Sequence, residues 1–449
     1  MAATLPSYIA SAQPVPPSAR APWYKNTAPS YAGIFLWFVF WDSISGQGLV
    51  QGGLWSALLG VVLGGVICHA LFYVVPAMLG MKTGLPLYVV GSSTFGTTGG
   101  LIMPGFLMGI LQFGWLGVNT YYSSQALAGG AGGPAFYAIC VLFAGLAAFV
   151  GLRGIQYLGK VATYLPIIPL AVLVIALVQF GGSATGYKPP AEAAGAGFGI
   201  GIVLMVAHIV GFFATAGAAG VDFGMNSRDA RDVQWGGIVG ILVAIVFTAG
   251  ASVIAIAGAH AAGVLDGSGG DAYQTTHALS KVLSAGFHKA VMVGLTIAAF
   301  PGACFSAFIA ANSFKTVMPK VDPFLSVGIG TLVSILLAVT GIAGNLPGVF
   351  NLIGASFGPI VGAMTVDYLL AGRKWAGPRP GWNVAGWIAW ACGFAVGISP
   401  RLHELSSAIP EVPCAPVAAF VAGAVAYLVF ALAGLGGPAA PKIATASSS

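Results

Sequence analysis

The sequence predicts an all-α integral membrane protein of twelve transmembrane helices, in which a five-helix unit is repeated with inverted topology and two further helices follow. Three observations predict it. First, only 17 Lys+Arg and 11 Asp+Glu occur among 449 residues, or 6% charged, against about 25% in a soluble globular protein. With 57% hydrophobic residues and a mean hydropathy of +0.91, there are too few charges to clothe a soluble surface. Second, the 70 residues between Lys82 and Arg153 contain no Asp, Glu, Lys, Arg or His. Lipid-facing backbone must satisfy its own hydrogen bonds, so such a run is helical or part of a closed barrel. A barrel needs alternating segments about ten residues long, and these runs are continuously apolar.

The third observation is how the basic residues sort. Apolar runs bounded by Gly, Pro or charge give spans at 34–54, 55–79, 101–127, 134–152, 161–180, 199–220, 236–258, 290–317, 324–342, 347–370, 382–398 and 416–435. With the N-terminus inside, the inner loops and tails hold 13 of the 17 basic residues. The outer ones hold Lys188, Lys281, Lys289 and Arg401, as the positive-inside rule requires. Both termini are then cytoplasmic and the protein is expected in the plasma or inner membrane. The divisions are a tail at 1–33, five-helix units at 34–180 and 199–370, two more helices at 382–435, and a tail at 436–449.

The net charge of +6 follows from this sorting, with no basic face for nucleic acid. Residues 1–33 lack the apolar core of a signal peptide. Five scattered cysteines without C-x-x-C spacing give no disulfide framework and no metal site. Residues 85–99, broken by Pro86, Gly91, Gly96 and Gly99, read as a short surface helix or connection. The outer loop from His260 to Lys289 reads as a solvated link.

Asp42 stands in the first span, and a carboxylate at membrane depth is functional by default unless the span starts later and Asp42 caps it. Ser43, Ser45, Gly46 and Gly48 follow within six residues, a stretch that weakens a helix and frees carbonyls for a cation or substrate. Asp42, Ser43 and Ser45 are the candidate coupling residues. The sixth span has a matching interruption from Thr215 to Asp222, which includes Gly217 and Gly220. Breaks in spans one and six are the signature of the inverted repeat; the alternative is that the glycines only allow close helix packing. In span three, Trp115 and Asn119 are four apart and share a face. An aromatic plane beside an amide suits a flat heterocycle. His208, alone among Val, Ala and Ile, reads as a satisfied core residue. Asp222 and Asp367 are expected to pair with Arg228, Arg231 or the basic loop after span ten.

Gly84-Leu85-Pro86, Phe95-Gly96, Gly114-Trp115-Leu116-Gly117, Val221-Asp222-Phe223 and Asp367-Tyr368 occur in that order. In these motifs the chain resembles the nucleobase:cation symporter-1 family, the permeases for purines, cytosine, uracil, allantoin, hydantoin and thiamine precursors, from Trp23 to about Leu370. The resemblance implies the leucine-transporter fold and an importer of a small planar nitrogen heterocycle, working by alternating access and with no enzymatic activity. It also implies Trp115 as the stacking tryptophan, Asn119 as the substrate amide, Phe213 as the second aromatic of a sandwich, Thr215 as the next polar position, and Ser306 near the amide of span eight. Gly217 joins that site through the sixth-span interruption. The expected partners are a nucleobase-like small molecule and lipid, with no nucleic acid and no obligate protein. No cofactor is implied beyond a coupling proton or sodium ion. The chain departs from the family at Ser93-Thr94, where many members carry arginine. It departs again at Phe300-Pro301, where sodium-coupled members carry hydroxyls, and this favours a proton. Amine and amino-acid carriers share the fold and are the rival reading; a membrane-embedded enzyme and a channel are more remote.

Overall fold

The computed structural model describes residues 5–153, 163–191, 197–267 and 269–438. Lys160, Glu192, Lys442 and the start of the fifth span lie outside them. The described residues form no strand, only one isolated parallel bridge between Ala21 and Ser227. Nine of their helices are long and apolar enough to cross a membrane. Val178 (80% exposed), Leu142 (70%) and Ile167 (61%) stand outward on such helices. That exterior belongs in lipid rather than water, so this is a multi-pass membrane protein.

The chain enters through α1 (Thr27–Phe35), which begins seven residues before the expected tail boundary at 34. It continues as α2, a 46-residue run over Phe38–Thr83. At about 1.5 Å per residue this is roughly twice the length that crosses a bilayer. It folds back at Gly53, whose φ of 75° and ψ of −177° are not helical, one residue from the expected division between spans one and two. A π-helical turn, Cys68–Tyr73, lies in its second half. Helix α3 (Ser92–Ala128) takes up most of residues 85–99. Ser92, Ser93, Thr94 and Phe95 are buried, so that segment is internal and not the surface connection expected.

Then follow α4 (Gly133–Arg153), α5 (Ile167–Phe180), α6 (Phe198–Ala218) and α7 (Gly220–Gly224). After these come α8 (Ala230–Ala261), α9 (Thr275–Val282), α10 (Ala285–Val317), α11 (Pro323–Val339) and α12 (Leu346–Leu370). The last pair is α13 (Val384–Gly397) and α14 (Ala415–Phe430).

Helix α6 packs most extensively on α2, and α12 packs on both α6 and α14. The α2–α6 contact is close because glycines meet there: a Cβ on Gly201 would lie 2.9 Å from both the Gly48 carbonyl oxygen and Gly52 Cα. The loop from His260 to Lys289 is not the solvated link expected. It carries α9, with Thr275, Thr276, Ala278 and Leu279 buried against the bundle.

One end of the bundle gathers the loops richest in basic residues. Arg20 donates to the carbonyls of Met81 and Ser227. Lys82 donates to Tyr368 and to the Arg373 carbonyl. Asp367 pairs with Arg379 at 2.9 Å, the basic loop after span ten as expected. Asp222 does not pair with an arginine. It accepts from the backbone N–H of Leu87 at 2.9 Å, while Arg228 pairs with Asp232 at 2.6 Å.

Candidate functional site

Two helix interruptions meet at the centre of the molecule. The first lies at Leu36–Trp37, between α1 and α2, where Trp37 takes φ −58° and ψ 120°. Neither residue is Gly or Pro. The break is held by the Trp41 indole, whose Nε1 donates to the Leu36 carbonyl at 3.1 Å. The second is only a slight bend at Ala219, between α6 and α7 and within the expected interruption, where φ −63° and ψ −7° stay right-handed and the Ala219 N–H donates to the Thr215 carbonyl at 2.9 Å. Tyr31 on α1 donates to the Ala216 carbonyl at 2.7 Å and so ties the two together.

The expected first break, by contrast, is helical. Ser43 Oγ donates to the Val39 carbonyl at 2.6 Å. Ser45 and Ser252 hydroxyls lie 2.9 Å apart, and Ser252 also donates to the Trp41 carbonyl. Small polar side chains here bond to carbonyls and leave the helix intact. Asp42 is buried with both oxygens engaged: Oδ1 accepts from the Thr276 N–H and Oδ2 from the Thr276 hydroxyl, each at 2.7 Å. It anchors the N-terminus of α9, where a carboxylate is favoured.

His208, Phe212 and Thr215 recur at i, i+4 and i+7 and share one face of α6; Trp115, Asn119 and Tyr122 do the same on α3. These faces meet. Trp115 Nε1 donates to Thr215 Oγ1 at 3.3 Å. The Trp115 ring lies 5.4 Å from Phe212 at 87° and 5.8 Å from Phe350 on α12. Trp37, at the first break, is near parallel to Phe212 (6.1 Å, 14°) and edge-on to Trp115 (6.0 Å). His208 lies 4.7 Å from Phe350.

On the residues of this aromatic cluster and beside it, several buried polar atoms have no protein partner: Trp37 Nε1, Asn119 Oδ1 and both ring nitrogens of His208. Asn119 spends one amide hydrogen on the Trp115 carbonyl at 3.0 Å. Each such group costs about 1–3 kcal/mol if nothing pairs it, so each calls for a partner, whether water or a polar ligand. The expected satisfied core histidine is thus corrected. Its i−4 spacing from Phe212 was the signal that it belongs to the site.

The other expected site residues divide. Trp115, Asn119 and Thr215 come together. Phe213 does not join them: it is fully buried, stacked on Phe35 (5.7 Å, 22°) and near Tyr31 (5.6 Å). Its neighbour Phe212 faces Trp115 instead, because one residue turns a helix by about 100°. Gly217 serves packing, since a Cβ there would lie 2.9 Å from Phe72 Cβ and 3.2 Å from the Phe213 ring. Ser306 is buried on α10, and no hydrogen bond or ring contact joins it to Trp115. No group of three or more His, Cys, Asp or Glu able to hold a metal occurs among the described residues.

A cavity of about 250 Å³ lies at the end of the bundle opposite the basic loops. It is lined by Ser43 and Gln47 of α2, Tyr122 of α3, His208 of α6, and Tyr273 and Gln274 before α9.

No protein-family model and no curated protein matches the chain. Solved structures do. The chain is similar to Mhp1, described as a nucleobase-cation-symport-1 family transporter, in a closed conformation with bromovinylhydantoin bound. Identity is 18%, 94% of each chain is covered, and the TM-score is 0.63. Against the inward-facing conformation of Mhp1 the figures are 18% identity, 97% of this chain, 94% of that one and 0.67. The chain has the leucine-transporter fold. A Na+-coupled sialic acid symporter in a substrate-bound, outward-open state also matches, at 14% identity, 92% and 90% coverage and 0.59.

Proposed function

We infer that the protein is a secondary active transporter that imports a small, neutral, planar nitrogen heterocycle of the nucleobase or hydantoin kind by alternating access. One observation carries this reading: the cluster of Trp37, Trp115, Phe212 and Phe350 at the helix crossing, with unpaired polar atoms on Asn119, Trp37 and His208. Since a sialic acid symporter shares the fold, the side chains and not the fold must choose the ligand. Those named here are uncharged. A carboxylate or ammonium ligand would lack an opposite charge on them, and burying it would be costly. Asn119 Oδ1 is an acceptor, the Trp37 indole a donor, and neutral histidine offers one of each. Such a set complements a ring that alternates N–H with C=O, as a hydantoin does, and Mhp1 is described with bromovinylhydantoin bound.

The test is a thermal-shift and proteoliposome uptake screen against cytosine, uracil, adenine, hypoxanthine, allantoin, hydantoin and a thiamine pyrimidine, with phenylalanine and sialic acid as contrasts. A heterocycle should be stabilising and transported. Stabilisation by phenylalanine or sialic acid alone would overturn the reading.

Counting α2 as two passes raises the nine long helices to ten, and the shorter α11 and α13 bring the crossings to twelve. With the basic end cytoplasmic, cysteines placed at the exposed positions Gly270 and Ser406 should label from outside intact cells, and one at exposed Lys374 should not.

For coupling we propose a proton on Asp42. Protonation would remove the charge that receives both Thr276 bonds, so loading the proton would loosen α9. Ser43 and Ser45, bonded within the same helix and to α8, would support that helix. Uptake should depend on pH and persist when choline replaces sodium, and Asp42→Asn should abolish accumulation. Uptake that needs sodium and is unchanged in Asp42→Asn would assign the coupling to sodium instead.

A further inference from the structure

The cavity opposite the basic loops is not lined by the aromatic cluster but adjoins it. His208 forms part of its lining and packs on Phe350, the ring that also contacts Trp115. A histidine only 4% exposed with neither nitrogen paired is an expensive thing to keep in a helix of Val, Ile and Phe.

The rest of the lining tells what could pair it. Three of the polar groups are already engaged: Ser43 with the Val39 carbonyl, Tyr122 with the Gly344 carbonyl at 2.9 Å, and Tyr273 with Tyr187 at 3.1 Å. The side chains of Gln47 and Gln274 make no hydrogen bond with the described residues. That leaves two carboxamides and one imidazole, each able to donate and accept, beside the rings of Tyr122 and Tyr273, and no lining residue is charged. At about 30 Å³ of liquid volume per water, the space equals roughly eight waters, enough for a single heterocyclic ring.

We propose that this cavity is an outer binding station, at which His208, Gln47 and Gln274 hold a neutral heterocycle before it passes to Trp115 and Asn119. The ligand class rests on the transport reading above, while the station itself rests on the cavity and its unpaired groups. His208 joins the two: it lines the cavity and packs on Phe350, which in turn contacts Trp115. One donor and one acceptor on the same side chain can exchange partners without either station being left unpaired.

The test is ligand protection of a cysteine in the outer cavity when the inner site is disabled. The full chain would carry Cys392→Ser and Cys414→Ser, which removes the exposed and half-buried native thiols, together with Val50→Cys in the cavity lining. Maleimide alkylation would be followed against hydantoin and against uracil. Protection should appear, and should survive Trp115→Ala with its half-effective concentration changed by no more than about threefold. His208→Leu should raise that concentration roughly five- to tenfold, as the loss of one or two hydrogen bonds implies. His208→Gln, which keeps a donor and an acceptor, should restore much of the effect and control for folding.

Protection abolished by Trp115→Ala would overturn the outer station and leave the transport reading standing. Protection unchanged in His208→Leu would also overturn it. If neither probe protects Val50→Cys nor any member of the screening panel stabilises the protein, both the station and the transport reading fall.

Discussion

Both ends of the bundle tie polar groups across elements, but only the end opposite the basic loops leaves polar side chains beside a cavity that reaches the helix crossing. At the basic end they are tied to one another across elements: Val15 to Gly84, Arg20 to Met81 and Ser227, Ala21 to Asn226, Asn383 to Thr94, and Arg379 to Asp367. The N-terminal segment thus straps the ends of α2, α3 and α7. A groove of about 450 Å³ beside Trp23 and Arg228 contains none of the residues at the helix crossing. At the far end, Gln47, Gln274 and His208 line a cavity next to the crossing with their side chains unengaged. The far end is cross-linked as well, by Asp42 to Thr276 and Tyr273 to Tyr187, yet these three side chains stay unengaged beside the cavity. The proposed alternating access would require the strap to come undone.

The largest expected effect lies at the closed end. Arg379→Ala would leave Asp367 buried without its counter-ion, and breaking a buried pair costs about 3–5 kcal/mol. Thermal unfolding in detergent should fall steeply for Arg379→Ala and less for the double variant with Asp367→Asn. Equal losses would mean that the pair is not what closes this end.

The crossing comes next, where adjacent phenylalanines should behave differently. Phe213→Ala removes a packed ring, at about 3–5 kcal/mol of stability, and should leave ligand affinity nearly intact in the protein that folds. Trp115→Ala and Phe212→Ala should each weaken binding by about 1–3 kcal/mol, or roughly five- to 150-fold. Isothermal titration with whichever heterocycle stabilises the protein separates the two behaviours. The smallest effect is Tyr8→Phe, which loses the bond to the Thr97 carbonyl, worth about 0.5–1.5 kcal/mol. Hydrogen exchange should quicken over residues 5–26 and not around α9; equal quickening at both would erase the contrast between the ends.

The bundle is legible in the sequence because lipid forces long apolar runs into helices, and the turn at Gly53 falls one residue from where the pattern puts it. The bend between α6 and α7 falls in the stretch that Gly217 and Gly220 mark, but these glycines pack against Phe72 and Tyr73, as the alternative of close helix packing expects. The first break is not legible, because Leu36 and Trp37 carry no breaking residue and the cause is a side chain four residues on, the Trp41 indole. Ser43, Gly46 and Gly48 mislead for the converse reason. A serine that bonds back to its own helix, and glycines packed against Tyr273, Ala57 and Met205, leave the helix whole. Phe212 and Phe213 cannot be told apart without knowing the phase of α6 to within one residue. His208 is misread because its neighbours in sequence are apolar, while its lack of partners is visible only in space.

Asp367 also sets a condition on how the protein is made. Its carboxylate is satisfied by Ser93, Thr94, Arg379 and Tyr427. Synthesis runs from the N-terminus, so the two hydroxyls precede α12, the cation comes in the connection before α13, and the phenol arrives only with α14. Until then the nascent chain holds an acid with half its company, a cost near the membrane that a translocating helix feels directly. The C-terminal pair α13–α14 therefore does more than enlarge the bundle. It brings the last of the four partners of Asp367, and a chain that stopped at Leu370 would lack both Arg379 and Tyr427.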